Sequence, residues 1–227
     1  MRKSYMLRLT DLFATASMHQ WLMLSSAFNM TLLAGRMIAT GNIEYIFLPW
    51  NLFLAFIPYF ITRMLAFMPG WIERKKILLP VLAVWLLFIP NSFYIITDLY
   101  HLTHVDTAAK WYDLLMIFSF AWTGLLFGVL SLRKVELIVL LERGRRFSVL
   151  FVLAVLWLCA FGIYIGRFLR FNSWDVLADP LSLAGEIGAM LFHPGEHAYA
   201  WGMTFCYAVF MTMLYFTTRR MGESSLV

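Results

Sequence analysis

Six apolar runs, at about 20–39, 46–68, 77–96, 112–132, 147–167 and 198–217, alternate with short polar stretches along the 227-residue chain. Each is close to the ~20 residues that carry an α-helix across ~30 Å of hydrocarbon at ~1.5 Å rise per residue. The pattern predicts an all-α, polytopic membrane protein, a single six-helix domain over residues 1–227. A further stretch, 181–192 (LSLAGEIGAMLF), is apolar but too short to span. It is predicted to lie on or dip into the outer leaflet as an amphipathic element. The N-terminal MRKSYMLRLTDLF is basic, but Asp11 interrupts any signal-peptide core. It reads as an uncleaved interfacial helix leading into the first span.

Composition narrows the class. Hydrophobic residues make up 62% of the chain, aromatics 18% and charged residues 14%, against ~45–50% apolar and ~25% charged in soluble domains. One soluble core of this length could not hide so much apolar surface. Disorder, collagen, coiled coil and disulfide scaffolds are excluded by the same numbers. The two cysteines, Cys159 and Cys206, fall inside apolar runs, so they read as free thiols within helices.

The net charge of +5 follows a topological pattern. Arg2, Lys3 and Arg8 precede span 1, and Arg74, Lys75 and Lys76 follow span 2. Arg133, Lys134, Arg143, Arg145 and Arg146 follow span 4, and Arg219 and Arg220 follow span 6. Thus 13 of the 18 basic residues fall on one side of a six-span weave. The positive-inside rule places that side, and both termini, in the cytoplasm. A nucleic-acid partner is not expected, because topology accounts for the basic residues.

The other side collects Glu44, Asp98, Asp106, Asp113, Asp175, Asp179, Glu186 and Glu196, eight of 13 carboxylates, and four of five histidines. Exclusion of basic residues from outer loops explains the acids but not the histidines. A site, if present, faces outward. Its most informative stretch is PNSFYIITDLYHLTHVD, 90–106. On an α-helix, Asn91, Tyr94, Asp98 and His101 would occupy an arc of about 80°. Such a polar stripe must face protein or a water-filled cavity, because ionisable groups are costly against lipid.

Three readings compete for this stripe. Asp98 and His101 could handle protons, the carboxylate supporting the imidazolium. Asp98 and His101 could instead join His104, His193 or His197 around a divalent metal. The third reading is a hydrogen-bond network that docks span 3 on its neighbours. A second cluster, RFLRFNSWD, carries Arg167, Arg170, Trp174 and Asp175; if span 5 continues, Arg167, Arg170 and Trp174 share a face. Paired guanidiniums can grip phosphate or carboxylate, or pair with acids such as Asp98, Asp113 and Asp175. Arg36 belongs to the same layer, and Asp113 opens span 4 within WYD. Ser173 is expected to cap a short helix that Pro180 stops, and His193 to cap span 6.

Within the spans, Pro58 and Pro90 each remove a backbone hydrogen bond and are expected to kink their helices. Gly124 with Gly128, and Gly162 with Gly166, form GxxxG patterns that let helices approach closely, within one chain or across a homo-oligomer. Walker, Rossmann, GxSxG and CxxCH motifs do not occur.

The blocks PNSFYIITDLYHL, WYDLL and RFNSWD, covering Pro90–Leu102, Trp111–Leu115 and Arg170–Asp175, resemble an uncharacterised family of bacterial multi-pass membrane proteins, a domain of unknown function. The resemblance implies an inner-membrane protein and brings no activity with it. The sequence supports three classes of function: binding or modifying a lipid-linked or anionic substrate at the outer leaflet, a small transporter or channel lined by Asn29 and Asn51 as well as the stripe, and a scaffold subunit of a membrane complex. The topology is checked by cysteine labelling. A thiol at Thr107 is expected to react from outside intact cells and one at Gly144 only after permeabilisation, and the reverse pattern would invert the assignment.

Overall fold

The computed structural model describes residues 16–103 and 109–224. The expected N-terminal interfacial helix, His104 and Asp106 lie outside the described residues. The described chain is helical with no strand: α1 (Ala16–Thr40), α2 (Phe47–Phe67), the short α3 (Pro69–Glu73), α4 (Lys75–Tyr94), α5 (Lys110–Arg143), α6 (Arg145–Tyr164), α7 (Asp175–Ala178), α8 (Pro180–Phe192) and α9 (Ala198–Ser224). Six of these segments are long and apolar enough to cross a membrane, as the hydrophobic pattern requires. The chain forms two compact units, within residues 1–135 and 136–227, with the division inside α5.

The first unit contains α1, α2, α4 and most of α5. Its core joins Leu22 and Leu32 of α1, Leu48, Leu52 and Tyr59 of α2, and Met116, Phe120 and Phe127 of α5. Helices α2 and α4 run on through Pro58, Pro80 and Pro90, so the prolines interrupt hydrogen bonding without ending the helices. Side chains from neighbouring helices bond to the backbone around Pro58. The Ser131 hydroxyl donates to the Pro58 carbonyl at 2.8 Å and accepts from the Trp85 indole at 2.7 Å. The Ser92 hydroxyl donates to the Ala55 carbonyl at 2.8 Å. In hydrocarbon such partners matter because no water can replace them.

Close approach of α5 to the end of α4 depends on two glycines. A Cβ on Gly124 would lie 2.6 Å from Ile95 Cγ2, and one on Gly128 would lie 2.7 Å from Ser92 Cβ. This GxxxG face packs within the chain.

Charged groups of the first unit gather in two layers. Arg36, Glu44, Asp98 and Asp113 lie at one end; His19, Arg63 and Lys134 lie at the other. Segments 20–35, 48–62, 77–97 and 114–132 between them carry no Asp, Glu, Lys, Arg or His. Counted along α1 from His19 to Arg36, the layers are roughly 25 Å apart, and along α5 from Asp113 to Lys134 roughly 30 Å, at ~1.5 Å per residue. That separation matches the hydrocarbon thickness of a bilayer, ~30 Å. Midway, Asn29 donates to Thr123 Oγ1 at 3.0 Å and accepts from the Ser119 hydroxyl at 2.5 Å.

In the second unit α6 packs on α9. Phe161 stacks on Trp201 with centroids 5.4 Å apart, and Phe168 meets Tyr199 edge-on at 5.6 Å. The Trp201 indole donates to the Met190 carbonyl at 3.2 Å, tying α8 to α9. Glu136 is fully buried, accepting from Tyr215 Oη and from Arg219 Nη1, both at 2.6 Å.

Several local expectations change. Residues 133–143 continue α5 instead of forming a loop, because Val135 and Ile138 keep a buried face at helical spacing. Gly144 alone separates α5 from α6, at φ 83°. The short helix after span 5 starts at Asp175, with Trp174 and not Ser173 at its N-terminal cap position. Pro180 opens α8 behind an Asp179 cap that accepts from the Ser182 N–H at 3.3 Å. His193 ends α8, its N–H donating to the Ala189 carbonyl at 2.9 Å, so it does not cap span 6.

Glycine substitutions check the packing. Gly124→Ala and Gly128→Ala are each expected to destabilise by roughly 1–3 kcal/mol, since a buried methyl must displace Ile95 or Ser92. Gly185→Ala, where nothing lies within 4 Å of the new Cβ, is expected to be neutral or slightly stabilising. Melting temperatures in detergent read the difference.

Candidate polar site at one end of the first unit

The chain builds this end by stopping α1 sharply. Gly41, at φ 66°, takes the left-handed conformation after the helix, and its N–H donates to the Met37 carbonyl at 2.8 Å. Asn42 Oδ1 then accepts the Glu44 N–H at 2.8 Å, a turn that asparagine forms readily. The result places Tyr45, in a single 3₁₀ turn at Glu44–Ile46, beside Arg36. The Arg36 guanidinium lies 4.3 Å from the centroid of the Tyr45 ring.

Arg36 also meets Asp113, in the first turn of α5. Its Nε donates to Oδ1 at 2.8 Å and its Nη2 to Oδ2 at 3.3 Å. The two side chains are 0% and 2% exposed. A bidentate pair neutralises both charges at once, and a carboxylate in the first turn also complements the helix dipole. Breaking such a pair strands a buried charge; replacing both partners by apolar groups need not.

Asp98 and His101 enter from the other side. The α-helical geometry of α4 ends at Tyr94, and Ile95–Thr103 continue as 3₁₀. The expected α-helical arc through residue 101 is therefore replaced by a three-residue period, under which Ile95, Asp98 and His101 stand in one row. Ile95 is fully buried beside Gly124, which turns the row inward. Asp98 is 1% exposed and accepts from Asn51 Nδ2 at 2.8 Å. The His101 ring packs against Phe47 with centroids 4.7 Å apart, and its carbonyl accepts from the Tyr45 hydroxyl at 3.3 Å. Asn91 and Tyr94 sit half-buried on the last α-helical turn. The Asn91 amide donates to the Phe88 carbonyl at 3.0 Å.

Tyr45 thus links the Arg36–Asp113 pair to the segment carrying Asp98 and His101. Residue types alone do not single out Tyr45; the Gly41–Asn42 turn after Arg36 is the signal that could have. Glu136 was missed for a similar reason, since a helix read as a loop has no buried face.

The remaining candidates belong to the second unit. Arg167 is half-buried in a π-helical turn, Ile165–Leu169, and the exposed Arg170 adopts φ 60°, which ends the helix. Trp174 consequently does not continue the helical face of Arg167. Asp175 accepts from the Asn172 N–H at 2.6 Å. His193 is exposed and His197 half-buried. Among the described residues, no three His, Cys, Asp or Glu side chains gather as a metal-ion set.

Residues 50–214 match the protein family described as "Protein of unknown function (DUF1361)". The chain belongs to this family. The DUF1361 region takes in Asn51, Asp98, His101 and Asp113, while Arg36 and Tyr45 precede it. Neither the curated proteins nor the solved structures yielded a match to the chain.

The pairing is tested by a double substitution. Arg36→Met alone is expected to cost about 3–5 kcal/mol, the range for stranding one buried partner, and Arg36→Met with Asp113→Leu to recover most of it. Chemical or thermal denaturation in detergent gives both values. Equal losses from the single and double variants would contradict a mutually satisfied pair.

Proposed function

We propose that this DUF1361 protein is a bacterial inner-membrane protein, with both termini cytoplasmic, that binds or modifies a lipid-linked or anionic substrate at the outer leaflet. The observation that carries the reading is the row of Asp98 and His101, turned into the bundle by the 3₁₀ segment and held by Asn51 and Phe47. The Asp98 carboxylate is the proton acceptor and His101, half-buried at the edge, exchanges protons with the aqueous side. Ionisable residues near the membrane boundary are costly to keep, and they commonly mark functional sites. The Arg36–Asp113 pair serves as the rigid wall of the site, with Tyr45 fixing the backbone at His101. Arg167 and Arg170, in the second unit, supply a separate grip for an anionic group. Helix α8, with Leu181 and Phe192 more than four-fifths exposed, lies in the outer interface beside the substrate's leaflet.

Asp98→Asn separates this reading from a scaffold role. Asn retains the shape and can still bond to Asn51, so a docking residue would show an altered melting temperature and intact cellular function. A proton acceptor is expected to lose function, by about 10²-fold or more, with folding retained. Full complementation of a deletion strain by Asp98→Asn would end the proposal.

A further inference from the structure

The connection from α2 to α4 carries a basic patch that the Asp98 site does not use. Residues 67–76 read FMPGWIERKK, three basic side chains against the one carboxylate of Glu73. Hydrogen bonds fix the backbone that presents them. The Met68 carbonyl accepts the Trp71 N–H at 2.9 Å, and the Arg74 carbonyl accepts those of Ile77 and Leu78 at 2.8 and 2.9 Å. Ile72 of α3, 3% exposed, anchors the connection in the unit. Arg74 stands in extended backbone between α3 and α4, and Arg74, Lys75 and Lys76 are all exposed.

Nothing among the described residues stabilises this arrangement. None of the three side chains hydrogen-bonds or ion-pairs with a described residue. Lys75 and Lys76 occupy the first turn of α4, which holds no acid, and cations there oppose the helix dipole. Their position points to the anion that would offset these costs. Lys76 and Asp98 are 22 residues apart, and residues 77–97 carry no Asp, Glu, Lys, Arg or His. At ~1.5 Å per residue that is roughly 33 Å, about the hydrocarbon thickness, so the patch lies at the membrane interface opposite the Asp98 layer. Phe67, 73% exposed, and Met68, 39%, stand with the half-buried Trp71 just before the cations. A soluble acidic protein would meet the cations and leave Phe67 in water. A lipid interface takes the apolar groups at its acyl boundary and the cations among its phosphates.

We propose that the connection from α2 to α4 is a binding surface for anionic phospholipid headgroups. Arg74, Lys75 and Lys76 meet the phosphates, and Phe67 and Trp71 enter the boundary beneath them. This surface stands independently of any role for Asp98.

The test uses the full-length protein in neutral detergent, titrated with phosphatidylglycerol or phosphatidylcholine. Thermal shift reads the affinity and native mass spectrometry the retained lipid. The unsubstituted protein is expected to prefer phosphatidylglycerol, less strongly as salt rises. Lys75→Gln and Lys76→Gln are each expected to weaken that binding about fivefold, the size of one basic residue's attraction to an anionic surface. Adding Arg74→Gln to both is expected to weaken it about a hundredfold. Lys75→Arg with Lys76→Arg keeps the charge and is expected to retain binding. Lys110→Gln, exposed at the opposite end of the unit, removes equal charge outside the patch and is expected to change little. Melting temperature without added lipid checks folding, and the single variants carry the test should the triple variant not fold. No preference for phosphatidylglycerol by the unsubstituted protein, or equal weakening by Lys110→Gln and Lys76→Gln, would overturn the proposal.

Discussion

A charge inside a bilayer has nowhere to find water, so each must either reach an interface or meet a partner within the protein. The first unit obeys both alternatives. Its ionisable residues lie in two layers separated by about a hydrocarbon thickness, and two of the buried ones, Arg36 and Asp113, are joined bidentately. Between the layers only neutral groups appear, and these bond to each other or to backbone carbonyls near Pro58. The second unit repeats the rule on Glu136, which is buried and saturated by Tyr215 and Arg219.

This constraint also explains why the small residues sit where they do. Pairing Arg36 with Asp113 requires α1 to approach the start of α5, and Tyr112 marks that approach by donating to the Leu32 carbonyl at 2.8 Å. Gly124 and Gly128 then let the Ile95 and Ser92 turns approach α5 farther down. Dispersion contacts replace the hydrophobic drive that lipid cannot supply between helices. Close packing and charge pairing are therefore one problem: the polar groups reach one another only because the backbones come close.

Much of this was legible in the chain. The six spans follow from hydropathy alone because the bilayer fixes their length, and the boundaries 46–68 and 198–217 differ from α2 and α9 by a few residues at most ends. Arg36, Asp98, His101 and Asp113 were recognisable as candidates because ionisable residues near apolar runs are few. What escaped the sequence depended on local geometry. The passage from α to 3₁₀ after Tyr94 leaves no compositional mark. Arg170 adopts a left-handed conformation that an arginine does not advertise. Residues 133–143 looked polar enough for a loop, yet Val135, Ile138 and Glu136 are buried because α5 outlasts the hydrocarbon by several turns.

The 3₁₀ segment is where fold and chemistry meet. In an α-helix, residues three apart are displaced by about 60°, so Asp98 and His101 would diverge across the face. At three residues per turn they align, and Ile95 aligns with them. Ile95 is the residue that fills the space left by Gly124, so the packing that fixes the rotation of this segment also fixes where the carboxylate points. Tyr45 closes the arrangement from the opposite side by holding the His101 carbonyl. A glycine in α5, a turn at Gly41–Asn42 and a change of helical period thus converge on one acidic side chain, which is how a sequence with so few charges can hold one of them in a defined place.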